Sequence, residues 1–352
     1  MPIGLYILAS VIKSIFVLFV LLTSVAYTVW LERKVVGHMQ NRWGPTRVGP
    51  FGLLQPAADG LKFLFKEDLT PPHVYKPLFI AAPMIAVIFA LTSIAVIPFG
   101  APITIAGYTI PLQVTTDVNI GLLLILGVTS IGIYGVALAG WSSNNKYSLL
   151  GGLRASAQMV SYEISLGLSL VGVMIISSTF SLNQIVTAQS GRFLGFIPRW
   201  NIFPQFIGFF CYLIAAYAET NRIPFDLPEA ETELVAGYHT EYSAMKFAMF
   251  FMAEYANMVT VACLATLMFF GGWLSPFGEQ AFLQAHGAPE LVLAVLPVLW
   301  FMAKVVAFLF IYIWVRGTLP RFRYDQLMAF GWKFLLPLAL VNLIGTAIAV
   351  AW

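Results

Sequence analysis

The chain has 352 residues, of which 59% are hydrophobic and 10% charged, and its formal net charge is +3. Soluble domains carry about 25% charged residues, so this composition excludes an ordinary globule and points to an integral membrane protein. The small positive balance carries no nucleic-acid signal. Cys211 and Cys263 are too few for a disulfide framework, a zinc site or a cysteine-held iron–sulfur cluster.

The opening MPIGLYILASVIKS lacks the basic region and small-residue cleavage site of a signal peptide, so it reads as the lead into a retained helix. Apolar runs of about 20 residues, long enough to cross a bilayer, fall near 10–31, 78–99, 118–140, 159–178, 248–271, 294–315 and 332–351. An eighth run near 204–218, between Pro204 and Glu219, is ambiguous by length alone. Charge decides it. With eight spans, the loops after spans one, three, five and seven hold all the Lys and Arg residues except Lys13, Arg192, Arg199 and Lys304. That asymmetry fits the positive-inside rule with both termini outside. The expectation is an all-α, polytopic protein with eight transmembrane helices, forming one membrane domain over 1–352.

The first inside loop, 32–77, contains FGLLQPAADGLKFLFKED. Leu53, Leu54, Ala57, Leu61 and Leu64 recur there at helical spacing, with Asp59, Lys62 and Lys66 largely elsewhere on the wheel. This predicts an interfacial amphipathic helix within 50–66. It is either a plain surface anchor or one wall of a portal for a lipid-soluble molecule.

Ionisable groups inside spans are costly and usually functional. Glu163, Glu219, Glu254 and Lys304 are such groups, and Lys304 is expected to pair with a carboxylate. The alternative for each is a buried ion pair that only fixes packing. Between the fifth and sixth spans lies AETNRIPFDLPEAETELVAGYHTEY, within an acidic loop at 219–247. Asp226, Pro228 and Glu229 have the form of a capping box, and Gly237 suits a helix stop. Glu229 and Glu233 stand at i,i+4, where ionised carboxylates repel. Glu231 points to the opposite face, and Glu241 follows the stop. With Arg222 and His239 as the few counter-charges, crowded carboxylates in a poorly hydrated place share protons. Such a group conducts protons or responds to charge nearby. The four histidines are far apart in sequence, none in an apolar span where a haem pair would be expected, and no GxGxxG or GxxxxGK[ST] is found. Electrons, if any, are carried by a partner.

The segments ERKVVGHMQNRWGPTRVGPFGLLQPAADGLKFLFKED, GWSSNNKYSLLGGLRASAQMVSYEISL, AETNRIPFDLPEAETELVAGYHTEYS, FFMAEYANM and RGTLPRFRYDQLM occur in order over nearly the whole chain. Together they resemble the H-subunit family of bacterial NADH–quinone oxidoreductase, respiratory complex I, which includes mitochondrial NADH dehydrogenase subunit 1. The resemblance implies a subunit at the joint of the two arms, with spans two to six like the five-helix unit of antiporter subunits. It implies quinone as substrate, no redox cofactor on this chain, and iron–sulfur clusters, FMN and the NADH site in partner subunits. Partners would be the peripheral subunits that carry the terminal cluster and the quinone head-group site, together with antiporter-like and small membrane subunits.

Carried over by position, the quinone-cavity candidates are Arg33, Arg42, Asp59, Arg222, Phe247, Phe251 and Arg316. Phe247 and Phe251 lie four apart on one helical face, which suits an isoprenoid tail; they read equally as core aromatics. The proton-path candidates are Glu163, Glu219, Asp226, Glu229, Glu231, Glu233, Glu241 and Glu254, with Lys304. The membrane would be a bacterial cytoplasmic membrane or the mitochondrial inner membrane. Rival readings are a stand-alone proton or sodium transporter, the related subunit of a membrane-bound hydrogenase, and a passive anchor.

Overall fold

A computed structural model describes residues 3–105, 108–115, 117–193, 197–226, 235–279 and 290–352. Among its described residues the chain is mostly helical. Its helices are α1 (Ile3–Met39), α2 (Gln55–Phe65), α3 (Lys76–Ser93), α4 (Gly121–Ser142), α5 (Lys146–Ser177), α6 (Leu182–Ala188), α7 (Phe206–Glu219), α8 (Ala244–Phe269), α9 (Glu290–Thr318), α10 (Tyr324–Phe330) and α11 (Leu336–Ala351). A π-helical turn, Gly331–Leu335, joins α10 to α11 into one span. Seven helical segments have the length and hydropathy to cross a membrane, and α7 is a shorter apolar helix. The chain is therefore a multi-pass α-helical membrane protein.

Within the membrane, lipid offers no hydrophobic drive between helices, so packing depends on close approach and internal hydrogen bonds. α3, α4, α5, α7 and α8 close into a ring by successive contacts, with α1 and α9 outside α8 and α11 outside α5 and α7. Glycines permit the tightest crossings. A Cβ at Gly135 of α4 would lie 2.9 Å from the α3 backbone, and one at Gly152 of α5 would lie 3.0 Å from Gly140 of α4. The final span is held by polar contacts: Asn342 Nδ2 donates to Gln205 Oε1 (2.9 Å), Gln205 Nε2 to Thr346 Oγ1 (2.7 Å), and Tyr162 Oη to the Leu327 carbonyl (2.8 Å).

Two small antiparallel hairpins, Ile103–Ile105 with Tyr108–Ile110 and Arg192–Phe193 with Ile197–Pro198, decorate the face opposite the long basic loop. The amphipathic helix forms where expected, as α2, entered through a short turn at Pro50–Gly52. It buries no residue in this chain; Leu54, Leu61, Leu64 and Phe65 stay exposed.

Candidate functional site

The site begins with a broken helix. α7 stops at Glu219, and the irregular chain that follows is buried at Thr220, Asn221, Arg222, Phe225 and Asp226. Non-helical backbone at membrane depth persists only where protein satisfies its polar groups. Gln158 of α5, fully buried, does so: its Nε2 donates to the carbonyls of Ala218 (2.8 Å) and Phe225 (2.7 Å) and lies 3.3 Å from Asn221 Oδ1. The glutamine thus ties the end of α7 to the far end of the irregular segment.

The break sets Arg222 beside Glu32 of α1. Glu32 is buried and stands at the centre of four elements. Arg316 of α9 donates to Glu32 Oε1, Arg222 Nη1 lies 3.7 Å from Oε2, and Tyr255 Oη of α8 donates to Oε2 at 2.9 Å. The Arg222 guanidinium sits over the Tyr255 ring, 4.0 Å from its centroid, a cation–π contact in a dry setting. Among the described residues, one carboxylate thus faces two guanidiniums. Glu32 lies seven residues before the end of α1, so the cluster is recessed by about 10 Å.

An apolar track leads to it. Phe247, Phe251 and Tyr255 recur every four residues on one face of α8, about 6 Å apart along the axis. The rings of Phe247 and Phe251 are 4.7 Å apart, and Phe63 of α2 stands 6.4 Å from Phe247 at the far end. His239 flanks the track, 5.2 Å from Phe247 and 6.1 Å from Phe251. Burial holds its imidazole down to about 4, so it is neutral at physiological pH. Arg33 and Asp59 tie α1 to α2 through a 2.7 Å ion pair, and Gln55 Nε2 donates to the other Asp59 oxygen at 2.9 Å.

Of the seven residues expected around a cavity, the structure brings Arg222 and Arg316 together at Glu32, Phe247 and Phe251 onto one face of α8, and Arg33 against Asp59. Arg42 joins none of these: it is exposed, and its Nε donates to Gln40 at 2.8 Å. The sequence reading missed Glu32, Tyr255 and Gln158. Each is a polar residue inside an apolar helix, which is the signal that could have found it.

The expected carboxylate path is only partly assembled. Glu163 of α5 accepts a hydrogen bond from Ser130 of α4 and lines a second cavity of about 840 Å³. Glu219 ends α7, which packs against α5, the helix that carries Glu163. Asp226 pairs with Arg321 at 3.0 Å, which docks the chain before α10 onto the break. Glu254 of α8 accepts from Tyr238 Oη at 3.0 Å. Glu241 is held apart from these, accepting from Asn145 Nδ2 at 2.7 Å with His73 3.9 Å away. Glu229, Glu231 and Glu233, and most of the expected capped helix, lie outside the described residues; Gly237 opens a short helical turn at φ 58°.

Lys304 corrects an expectation. Its ammonium bonds no carboxylate among the described residues. It donates to the carbonyls of Phe270 (2.7 Å), Gly272 (2.8 Å) and Leu274 (2.7 Å) and stands 4.5 Å above the Trp200 ring. The cap and turn that follow α8 present backbone carbonyls beside the negative pole of the helix, which a cation satisfies without a counter-ion. No cluster of three metal-ligating side chains occurs among the described residues.

The family model described as NADH dehydrogenase matches residues 12–347. The chain belongs to the H-subunit family of NADH–quinone oxidoreductase. It is 68% identical to NADH-quinone oxidoreductase H subunit 2 of Koribacter versatilis, over 99% of both chains. It is 51% identical to H subunit 1 of Solibacter usitatus, covering 99% of this chain and 98% of that one. It is 50% identical to H subunit 1 of Geobacter sulfurreducens, covering 99% and 96%. Matches of this extent make it a membrane subunit of complex I, the enzyme complex, rather than a stand-alone carrier.

Proposed function

We propose that this subunit guides quinone from the bilayer to a partner's iron–sulfur cluster and transmits the charge change of reduction to the proton-pumping subunits. The observation that carries this reading is the line Phe63–Phe247–Phe251–Tyr255, which joins an exposed amphipathic helix to the buried Glu32–Arg222–Arg316 cluster. Stacked phenylalanines suit a hydrocarbon tail, and the guanidinium and phenol donors at the inner end suit a head group that gains electron density. The basic face is cytoplasmic in this account, and both termini lie on the opposite side.

Coupling requires a free-energy link between two sites through an element with two arrangements. The broken segment 220–226 is the element proposed here. It carries Arg222 at Glu32 and Asp226 at Arg321, and it follows directly on Glu219 at the end of α7. Glu229, Glu231 and Glu233 follow it directly in sequence and extend the carboxylate set, with Glu241 and Glu254 beyond. Lys304 acts as a cap on α8.

A quinone with a photoactivatable group on its tail, irradiated in the assembled complex, tests the reading. Labelling of the peptides that contain Phe63 and Phe247–Tyr255, displaced by unlabelled quinone, is the expected result. Labelling confined to other spans, or not displaced, refutes it.

A further inference from the structure

A second feature is independent of this track. A crevice of about 590 Å³ runs between α1, α8 and α9, walled by Phe16, Val20 and Leu21, Cys263, and Phe301 and Val305. Glu32, Tyr255, Phe247, Phe251 and Phe63 do not line it. Its lining on α1 extends from Lys13 to Leu31, about 27 Å of helix, against a bilayer hydrocarbon thickness of about 30 Å. Its lining is apolar apart from Lys13, Gln113 and a few hydroxyl and aromatic polar groups, which suits a hydrocarbon chain.

The walls choose the head group. Ser24 and Thr28 line the crevice, but their hydroxyls donate to their own helix, to Val20 O (2.8 Å) and Ser24 O (2.7 Å). The fixed charge is at one end. The Lys13 ammonium lies 3.4 Å from the Gln113 carbonyl, and no carboxylate lies within 4.0 Å of it among the described residues. A cation at the rim of an apolar slot matches a phosphate on an acyl chain. A neutral quinone head gains far less from an ammonium.

We propose that this crevice seats an acyl chain of an anionic membrane phospholipid, with its phosphate at Lys13. The lipid braces α1 against α9. Because α1 also carries Glu32 and Arg33, the bound lipid steadies one wall of the quinone path.

The test uses the assembled complex in phosphatidylcholine vesicles. These are doped with phosphatidylglycerol or phosphatidylcholine bearing the same mid-chain diazirine. After irradiation, only complex recovered intact is digested and mapped. Phosphatidylglycerol adducts at Val20, Leu21 and Val305 are expected to exceed phosphatidylcholine adducts about fivefold, the preference one interfacial lysine confers. Lys13→Gln brings the two probes to parity, and Lys13→Arg retains the preference. Four results overturn the proposal: no adduct at these residues, equal labelling in the unaltered protein, a preference that survives Lys13→Gln, or displacement by a long-tailed quinone.

Discussion

Replacing Glu32 with glutamine removes one charge and almost no volume. Two guanidiniums then lose their shared carboxylate in a place where little water reaches them. The Arg222 and Glu32 side chains are each 10% exposed, whereas Arg316 is 34% exposed. Unit charges about 4 Å apart attract by about 4 kcal/mol at an effective dielectric constant of about 20. The Arg316 contact is discounted for its hydration. Breaking a buried pair by removing one partner costs about 3–5 kcal/mol. We expect about 3 kcal/mol for Glu32→Gln, read as a marked loss of intact complex on heating in detergent. Arg222→Gln should cost less, because Glu32 keeps Arg316 and Tyr255. The double variant should be less damaging than the sum of the two, with a coupling of about 2 kcal/mol in the cycle. A Glu32→Gln complex within about 0.5 kcal/mol of the unaltered one, as a surface substitution would give, refutes the reading of this cluster.

Further outcomes follow from the same geometry. Phe251→Ala should raise KM for a long-tailed quinone about tenfold while leaving a short-tailed analogue unchanged, because an apolar contact of about 1.4 kcal/mol is lost from the tail alone; equal effects on both refute the track. Asp59→Asn should leave assembly intact, since an exposed ion pair contributes about 1 kcal/mol or less, yet raise quinone KM by loosening α2 on α1. His239 binds its proton more weakly folded (about 4) than unfolded (6.5), so the unfolded chain protonates first and stability falls as pH drops through that window. His239→Gln should flatten the fall in thermal midpoint between pH 6.5 and pH 4. Lys304→Met should lower the thermal midpoint and leave protons pumped per electron unchanged; a lower ratio in intact complex refutes its capping role.

The sequence carried the architecture because hydropathy and charge act locally. Spans, loops and the amphipathic helix are each written in a continuous stretch. Even α7 was legible, because without it the four cations of the last loop, Arg316, Arg321, Arg323 and Lys333, would fall on the wrong side. Pairwise geometry was less legible. Phe247 and Phe251 share a face by spacing alone, but nothing in the chain order brings Glu32 to Arg222, Arg316 and Tyr255. Those contacts depend on where α7 breaks, and Gln158 sustains that break from another helix. Lys304 misled for a physical reason. A buried cation needs acceptors, and a helix end supplies carbonyls as well as an acidic side chain would. The π-turn at Gly331–Leu335 and the two hairpins left no periodic signal long enough to read.

The central claim is that the carboxylates flanking the broken segment, beginning with Glu219, carry the coupling. Glu219→Gln in the assembled complex, reconstituted in liposomes, tests it most directly, with quinone reduction and proton uptake followed in the same vesicles. The account predicts that reduction continues while protons moved per electron fall. A ratio equal to that of the unaltered complex, at whatever rate of reduction, contradicts it.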